Sequence, residues 1–266
     1  MSTSPRDNTV AKSLIEKIDQ INYENPTVHR GFRYENFNTK NIVTELLLMT
    51  RKTGKPLFEL RDVKTRKSKY EGKGAHLIKL KMNRAYYGKD RIAVYPELII
   101  LNSNDGTSKL KLFLCALSEG MNESVLIPTT PFSIGHQTID EKTAIELVKK
   151  YVEAIPKFMK GQQELTEIEL DEDMVEDVIT SGLQIRFGKQ FDLKDVQPIV
   201  QQMKSHTAWE VTKYLGNLFF GNIPKFGAMG QPAKSITSVW KDIELTKTIQ
   251  DLVSYAVSNG GHRIVA

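Results

Sequence analysis

The chain has 266 residues, of which 40% are hydrophobic and 26% charged, and its formal net charge is +5 at pH 7. These fractions are typical of a soluble globular protein with enough chain to bury a sizeable core. The single cysteine, Cys115, excludes an internal disulfide and any multi-cysteine zinc site, which indicates a reducing interior. No apolar run approaches the roughly 20 residues of a membrane span, and the polar first residues lack the apolar core of a signal peptide, so we expect a cytoplasmic protein.

The first half of the chain carries both helical and strand patterns. In chain order the predicted elements are a helix at 10–22, a helix at 40–52 with Thr39 as its N-cap, and strands at 57–63 and 76–82. Polar, lysine-rich residues 64–73 separate the two strands. In the second strand Lys79 and Lys81 alternate with apolar neighbours, so this pattern predicts a row of positive charge along one sheet face.

The next predicted element is a central hairpin. Residues 92–101 form an apolar run that reads as a buried strand, and the strand pattern resumes at 110–114. Between them, Asp105-Gly106 is a strong turn dipeptide, because glycine adopts positive φ without steric cost. The predicted structural turn consists of Asn102, Asn104, Asp105 and Gly106.

From Ile139 onwards the apolar period becomes helical. Helices are predicted at 140–160 with a break near Pro156, and at 171–187, 193–204, 207–219 and 239–258. We therefore predict an α+β fold, with a mainly antiparallel β-sheet of hairpins in the N-terminal half followed by a helical C-terminal half. The predicted organisation is a helix-plus-sheet region at 1–138 and a helical region at 139–266, packed on the same core.

Charge is distributed unevenly along the chain. Residues 51–91 contain fourteen Lys and Arg and four acids, a local net charge of +10, whereas residues 164–177 contain eight acids and no Lys or Arg. This segregation indicates either a basic surface for a polyanion or two faces that attract one another.

The basic segment is predicted to contact nucleic acid. Phosphate contacts need a high density of positive charge, and single-strand binding also needs aromatic faces on which bases stack. The predicted contact residues are Lys64, Arg66, Lys67, Lys69, Tyr70, Lys73, Lys79, Lys81, Arg84, Tyr86 and Tyr87. The alternative is a solvated hairpin whose charge keeps a sheet edge soluble.

The sequence carries no catalytic constellation. Its five histidines are scattered without a metal-ligand spacing, and Cys115 within an apolar strand is typical of a small core residue. Asn102, Asn104 and Asp105 carry oxygens suited to a hard cation, but a single carboxylate favours a turn held by side-chain to backbone hydrogen bonds. We expect no enzymatic activity, no cofactor and no metal site.

Several segments resemble the phage and plasmid-like domain-of-unknown-function family 932. Residues 101–108 resemble the family's Asn-Ser-His-Asp-Gly-Thr signature, and Arg186-Phe187-Gly188 matches a family tripeptide. Thr207-Ala208-Trp209, followed by Tyr214, resembles its Trp-containing helix. The likeness extends from residue 30 to residue 258 and departs from the family at Asn104, where the family usually has histidine. The resemblance implies phage or mobile-element DNA metabolism in a bacterial host cell, without a specific activity.

The order of a helix, a basic hairpin, a central hairpin and further helices is also similar to the core of single-strand annealing recombinases, an analogy at the level of the fold. The leading hypothesis is a non-enzymatic protein that binds single-stranded DNA as a homo-oligomer and acts in annealing, recombination or replication. The alternative is a protein-interaction module that modulates a host or defence protein. A metal-dependent nuclease around Asp105 is a third hypothesis, which no paired carboxylate supports.

Overall fold

The computed structural model describes residues 16, 18–19, 37–67, 73–89, 91–103, 108–118, 121, 124–126, 132–135, 139–187, 193–203, 205–220 and 239–263. Residues 16, 18 and 19 are helical. The remainder of the helix predicted at 10–22 lies outside the described residues. The same holds for residues 221–238, which precede the last helix.

Helices and strands together account for most of the described chain. The helices are α1 (Thr39–Leu48), α2 (Glu141–Glu153), α3 (Ile155–Leu165), α4 (Glu172–Phe187), α5 (Leu193–Gln202), α6 (Ala208–Phe220) and α7 (Val239–Gly260). The strands are β1 (Phe58–Lys67), β2 (Lys73–Met82), β3 (Tyr86–Tyr87), β4 (Ala93–Ser103), β5 (Leu110–Ser118), β6 (Val125–Leu126), β7 (Phe132–Ile134), β8 (Ile168–Leu170) and β9 (Gly261–Arg263).

The main sheet has seven strands in the order β1-β2-β4-β5-β6, with β3 paired to β4 and β7 paired to β5. Every described pair in it is antiparallel. Strands β8 and β9 form a separate antiparallel pair. The predicted α+β class, with an antiparallel sheet in the N-terminal half and helices in the C-terminal half, is confirmed.

Several boundaries differ from the predicted ones. Helix α1 begins after Asn38, whose side chain accepts a hydrogen bond from the backbone N–H of Lys40, so Asn38 rather than Thr39 is its N-cap. The break predicted near Pro156 is confirmed, since α2 and α3 are separated at Ala154, but α3 continues to Leu165 and so ends five residues beyond the predicted limit. Strand β1 continues to Lys67, and β2 already begins at Lys73. Part of the predicted lysine-rich linker at 64–73 is therefore strand.

Two compact units divide the chain. Unit 1 comprises residues 1–84, 95–114 and 129–156, and unit 2 comprises residues 85–94, 115–128 and 157–266. The unit 1 core includes Leu77, Ile78 and Leu98, all fully buried. The unit 2 core includes Trp209 and Cys115, which are also buried, as the sequence predicts.

Helix α2 in unit 1 begins at a well-formed cap. The side chain of Asp140 accepts a hydrogen bond from the backbone N–H of Thr143 at 2.7 Å. This bond, with a smaller contribution from the charge of Lys142, lowers the pKa of Asp140. Glu141, in the first turn, is also bound to the entry of α1 through the backbone N–H of Asn38 at 2.6 Å.

Gly88, in unit 2, lies too close to Thr166 for a larger residue. A Cβ atom at position 88 would lie 2.4 Å from Thr166 Oγ1 and 3.0 Å from Thr166 Cβ. We expect Gly88→Ala to destabilise the protein by about 1–3 kcal/mol, because the buried threonine must move as a whole. Gly161→Ala is the matched control: nothing lies within 4 Å of its Cβ, and alanine in α3 should stabilise by up to about 1 kcal/mol. Thermal unfolding would measure both changes, and equal stability of the two variants would contradict the tight packing at Gly88.

Candidate nucleic-acid interface

The basic segment of the sequence folds mainly as the β1–β2 hairpin of unit 1. The described pairing of β2 with β4 runs from Lys81–Glu97 to Ala75–Ser103. The pairing of β1 with β2 continues two residues further, to Lys67 opposite Lys73. We call residues 64–73 the distal hairpin, and residues 58–63 with 76–82 the root of the hairpin.

The charges in the root of the hairpin are paired. Arg61 donates a hydrogen bond to Glu97 at 2.6 Å, and the Glu97 side chain is fully buried while that of Arg61 is 23% exposed. Lys81 lies 3.1 Å from a carboxylate oxygen of Glu59. Its ammonium group also lies 4.7 Å from the centroid of the Tyr95 ring, within the range of a cation–π contact. Buried charges are tolerated only with partners, and these contacts provide them.

Lys79 is buried, which corrects one predicted contact residue. It is 1% exposed, with Asp62 directly opposite on β1 and Ile99 directly opposite on β4. The predicted alternation along β2 is present, but a strand paired on both sides presents its side chains to neighbours as well as to solvent. Lys79 therefore belongs to the charged side chains of the root, which together with Glu97 we call the ionic ladder. The prediction that it belongs to an exposed basic face is wrong.

The distal hairpin has a different charge balance. It contains five cations, Lys64, Arg66, Lys67, Lys69 and Lys73, and a single acid, Glu71. Lys64 lies 3.8 Å from Asp62 and is half-buried. Lys67 and Lys73 are directly opposite each other in register.

The other predicted contact residues are spread over both units. Arg66 and Lys67 belong to β1 and Lys73 to β2, whereas Lys69 and Tyr70 lie outside the described residues. Arg84, in unit 1, is exposed. Tyr86 and Tyr87 form β3 in unit 2, where Tyr86 is half-buried and Tyr87 is 57% exposed.

Asn102 is a buried strand residue, not part of the turn. It lies within β4, where its side-chain N–H₂ donates to the carbonyl oxygen of Phe37 at 3.0 Å and to Thr39 Oγ1 at 2.8 Å. Thr39 Oγ1 is in turn 2.6 Å from Nε2 of His76, which is directly opposite Asn102. His76 Nδ1 lies 3.3 Å from the carbonyl oxygen of Gly74, which can only accept, so this contact favours the tautomer protonated on Nδ1, with Nε2 accepting from the Thr39 hydroxyl. This network joins α1 to the sheet.

The rest of the predicted turn, Asn104, Asp105 and Gly106, lies outside the described residues. Ser103 and Ser108 flank it: the Ser103 hydroxyl donates to the carbonyl oxygen of Ser108 at 3.0 Å and accepts from its backbone N–H at 2.8 Å. Among the residues that the structure describes, no three His, Cys, Asp or Glu side chains are grouped so as to hold a metal ion. In the same part of the chain no helix is long and apolar enough to cross a membrane.

Sequence reasoning missed two groups of residues. The first is the Thr39–His76–Asn102 network, whose only sequence signal is polar residues at strand positions that alternate with apolar ones. The second consists of Lys89 and Arg91, both exposed beside β3. They were counted in the local charge but not as contacts, because their position depends on a turn that the pattern does not specify.

Unit 2 also contains a cavity of about 240 Å³. One face of α7, including Val253, lines it together with Leu165 and Thr212. None of the lining residues is charged. The cavity therefore offers no positive charge to neutralise a phosphate.

The chain matches no family model, no curated protein and no solved structure. The resemblance to family 932 accordingly stays a prediction.

Proposed function

We propose that this protein binds nucleic acid through its distal hairpin, and that single-stranded DNA is the preferred form. The observation that supports this proposal is the contrast between the two parts of the hairpin. Arg61 and Lys81 in the root have carboxylate partners, whereas the distal hairpin carries five cations and one acid. Phosphates would supply negative charge to a segment whose sequence carries five cations and only one acid, Glu71.

The hairpin geometry is suited to a polyanion. At roughly 3.3 Å per residue, the four residues from Lys64 to Lys67 extend over about 10 Å, comparable to the distance between a few successive phosphates. The strand pairing, at roughly 4.8 Å separation, places one further cation, Lys73 of β2, opposite Lys67 of β1 in register. Charges held on paired strands lose less conformational entropy on binding than charges on a free coil.

We further propose that the protein acts in annealing or recombination in a phage or mobile element, and that it assembles as a homo-oligomer. These parts of the proposal are based on the resemblance to family 932 and on the fold-level analogy to single-strand annealing recombinases. A bacterial cytoplasmic location belongs to it on the same grounds. Light scattering of the purified protein with and without DNA would measure the oligomer directly.

The test is fluorescence anisotropy with labelled single- and double-stranded oligonucleotides over a salt series. We expect tighter binding of the single strand and an affinity that falls steeply with salt, because each phosphate contact releases counterions. Absence of binding to either form at low salt would reject the proposal. A pull-down for a protein partner would then test the interaction-module hypothesis.

A further inference from the structure

The short loop that follows β3 has an anchored backbone. We call residues 86–89 and 91 the tyrosine loop, and all of them belong to unit 2. Asp90, the acid between the two cations of this loop, lies outside the described residues. Tyr86 and Tyr87 pair with Val94 and Ala93. The side chain of Gln163 donates to the carbonyl oxygen of Tyr87 at 2.7 Å.

The anchoring continues on the other side of Gly88. The backbone N–H of Lys89 donates to Thr166 Oγ1 at 3.2 Å, and this hydroxyl donates to the carbonyl oxygen of Gln163 at 2.7 Å. Gly88 packs against the same threonine without room for a Cβ atom. The backbone on both sides of the Tyr87 side chain is therefore fixed against the end of α3.

The loop ends in a tight turn with an unusual conformation. The backbone N–H of Arg91 donates to the carbonyl oxygen of Gly88 at 3.1 Å. Arg91 has φ of 57°, in the left-handed region that non-glycine residues rarely adopt. Unfavourable backbone conformations of this kind often occur at binding sites, where the surrounding structure maintains them.

This fixed loop exposes one aromatic ring and two cations. Tyr87 is 57% exposed, and Lys89 and Arg91 are both exposed. Neither cation forms an ion pair with any residue that the structure describes. An aromatic face beside positive charges is the arrangement on which single-stranded nucleic acid stacks a base while its phosphates are neutralised.

We propose that the tyrosine loop is a preformed site for one unpaired nucleobase, with Tyr87 as the stacking surface and Lys89 and Arg91 as contacts to the adjoining phosphates. This inference rests on the proposed function, and it explains why the protein would prefer single-stranded to double-stranded DNA. The positive charge of the distal hairpin attracts single- and double-stranded DNA alike. A base, in contrast, can stack on Tyr87 only when it is unpaired. Because the backbone is already fixed, little ordering is needed when the base binds.

The test compares two 15-nucleotide ligands of equal charge, oligothymidylate and a fully abasic strand. For the wild type we expect tighter binding of oligothymidylate. Tyr87→Ala should weaken its binding by about 5- to 100-fold and leave abasic binding unchanged, whereas Tyr87→Phe should keep the wild-type affinity. Tyr255→Ala is the matched control, because Tyr255 is also 57% exposed in unit 2, and it should change neither affinity.

Three results would overturn the inference. If Tyr87→Ala bound both ligands like the wild type, or lost affinity equally for both, the loop would not recognise a base. If the wild type bound neither ligand, the proposed function would fail as well. A loss of binding on charge reversal in the distal hairpin, with Tyr87→Ala unchanged, would reject the stacking site and leave the proposed function standing.

Discussion

Replacing Glu97 by glutamine should lower the free energy of unfolding by about 3 kcal/mol. Glu97 is fully buried beside Arg61, and Lys81 is directly opposite it in the sheet. The root of the hairpin, with Glu97, contains three cations and three acids: Arg61, Lys79, Lys81, Glu59, Asp62 and Glu97. Glutamine keeps the size of glutamate, but it replaces one acceptor oxygen by an N–H₂ donor and leaves the ionic ladder with three cations and two acids.

The double variant Glu97→Gln, Arg61→Met separates charge imbalance from disturbed packing. It restores equal numbers of cations and acids, so we expect it to recover stability to within about 1 kcal/mol of the wild type. Glu45→Gln serves as the surface control. Its partner Lys149 lies at 2.6 Å, but both side chains are roughly 40% exposed, and the loss should be below about 1 kcal/mol.

Urea denaturation followed by circular dichroism measures all of these variants. A Glu97→Gln variant as stable as the Glu45→Gln control would show that the ladder is solvated. That result would also contradict the conclusion that Lys79 is buried and does not belong to an exposed basic face.

Reversing three charges of the distal hairpin, with Arg66, Lys67 and Lys69 all replaced by glutamate, should weaken single-strand binding by about 100-fold at 0.1 M salt. Each lost phosphate contact reduces the slope of log affinity against log salt by about 0.7, so the slope should become shallower by about 2. Arg66 and Lys67 belong to β1 and Lys69 follows its end in sequence, so none of the three is a member of the ionic ladder and we expect the fold to be preserved.

The matched control reverses Lys157, Lys160 and Lys194, which are exposed on helices of unit 2. Both triple variants change the formal net charge from +5 to −1. If net charge alone governed binding, the two would lose affinity equally. We expect the control to retain a wild-type salt slope, and equal slopes in the two variants would exclude the distal hairpin as the contact surface.

The periodicity of the sequence was sufficient for the fold class and for most elements. Alternation of apolar and polar residues located β2, a continuous apolar run located β4, and the strand pattern after the turn located β5. Helical spacing located α4, α5, α6 and α7 to within about two residues, the usual uncertainty of helix ends. The short pair β8–β9 was missed, because three-residue strands have too few positions to show a period.

Most of the other differences between the predicted and the observed structure depend on which residues lie opposite each other in paired strands. Alternation along β2 indicates that Lys79 and Lys81 share a face, but it does not reveal that Asp62, Ile99 and Glu97 lie opposite them. Glu97 stands out in the sequence as an acid within an apolar run, and only its pairing with Lys81 shows the reason. The charge of a strand residue therefore predicts an interface only once its cross-strand neighbours are known.

The same limitation applies to Asn102. Asparagine is a residue type that favours turns, yet Asn102 extends β4, where its buried side chain donates to the Phe37 carbonyl oxygen and to Thr39 Oγ1. The side chain's Oδ1 atom accepts no hydrogen bond from any described residue, so the site is not fully satisfied. Tertiary partners of this kind override local turn preference.

The most direct test of nucleic-acid binding by the distal hairpin is lysine acetylation of the wild-type protein, with and without saturating oligothymidylate, read by mass spectrometry. We predict that bound DNA slows modification of Lys67, Lys69 and Lys73, while Lys157, Lys160 and Lys194 react at unchanged rates. Equal rates at all six lysines, or protection confined to the second group, would contradict the proposed function.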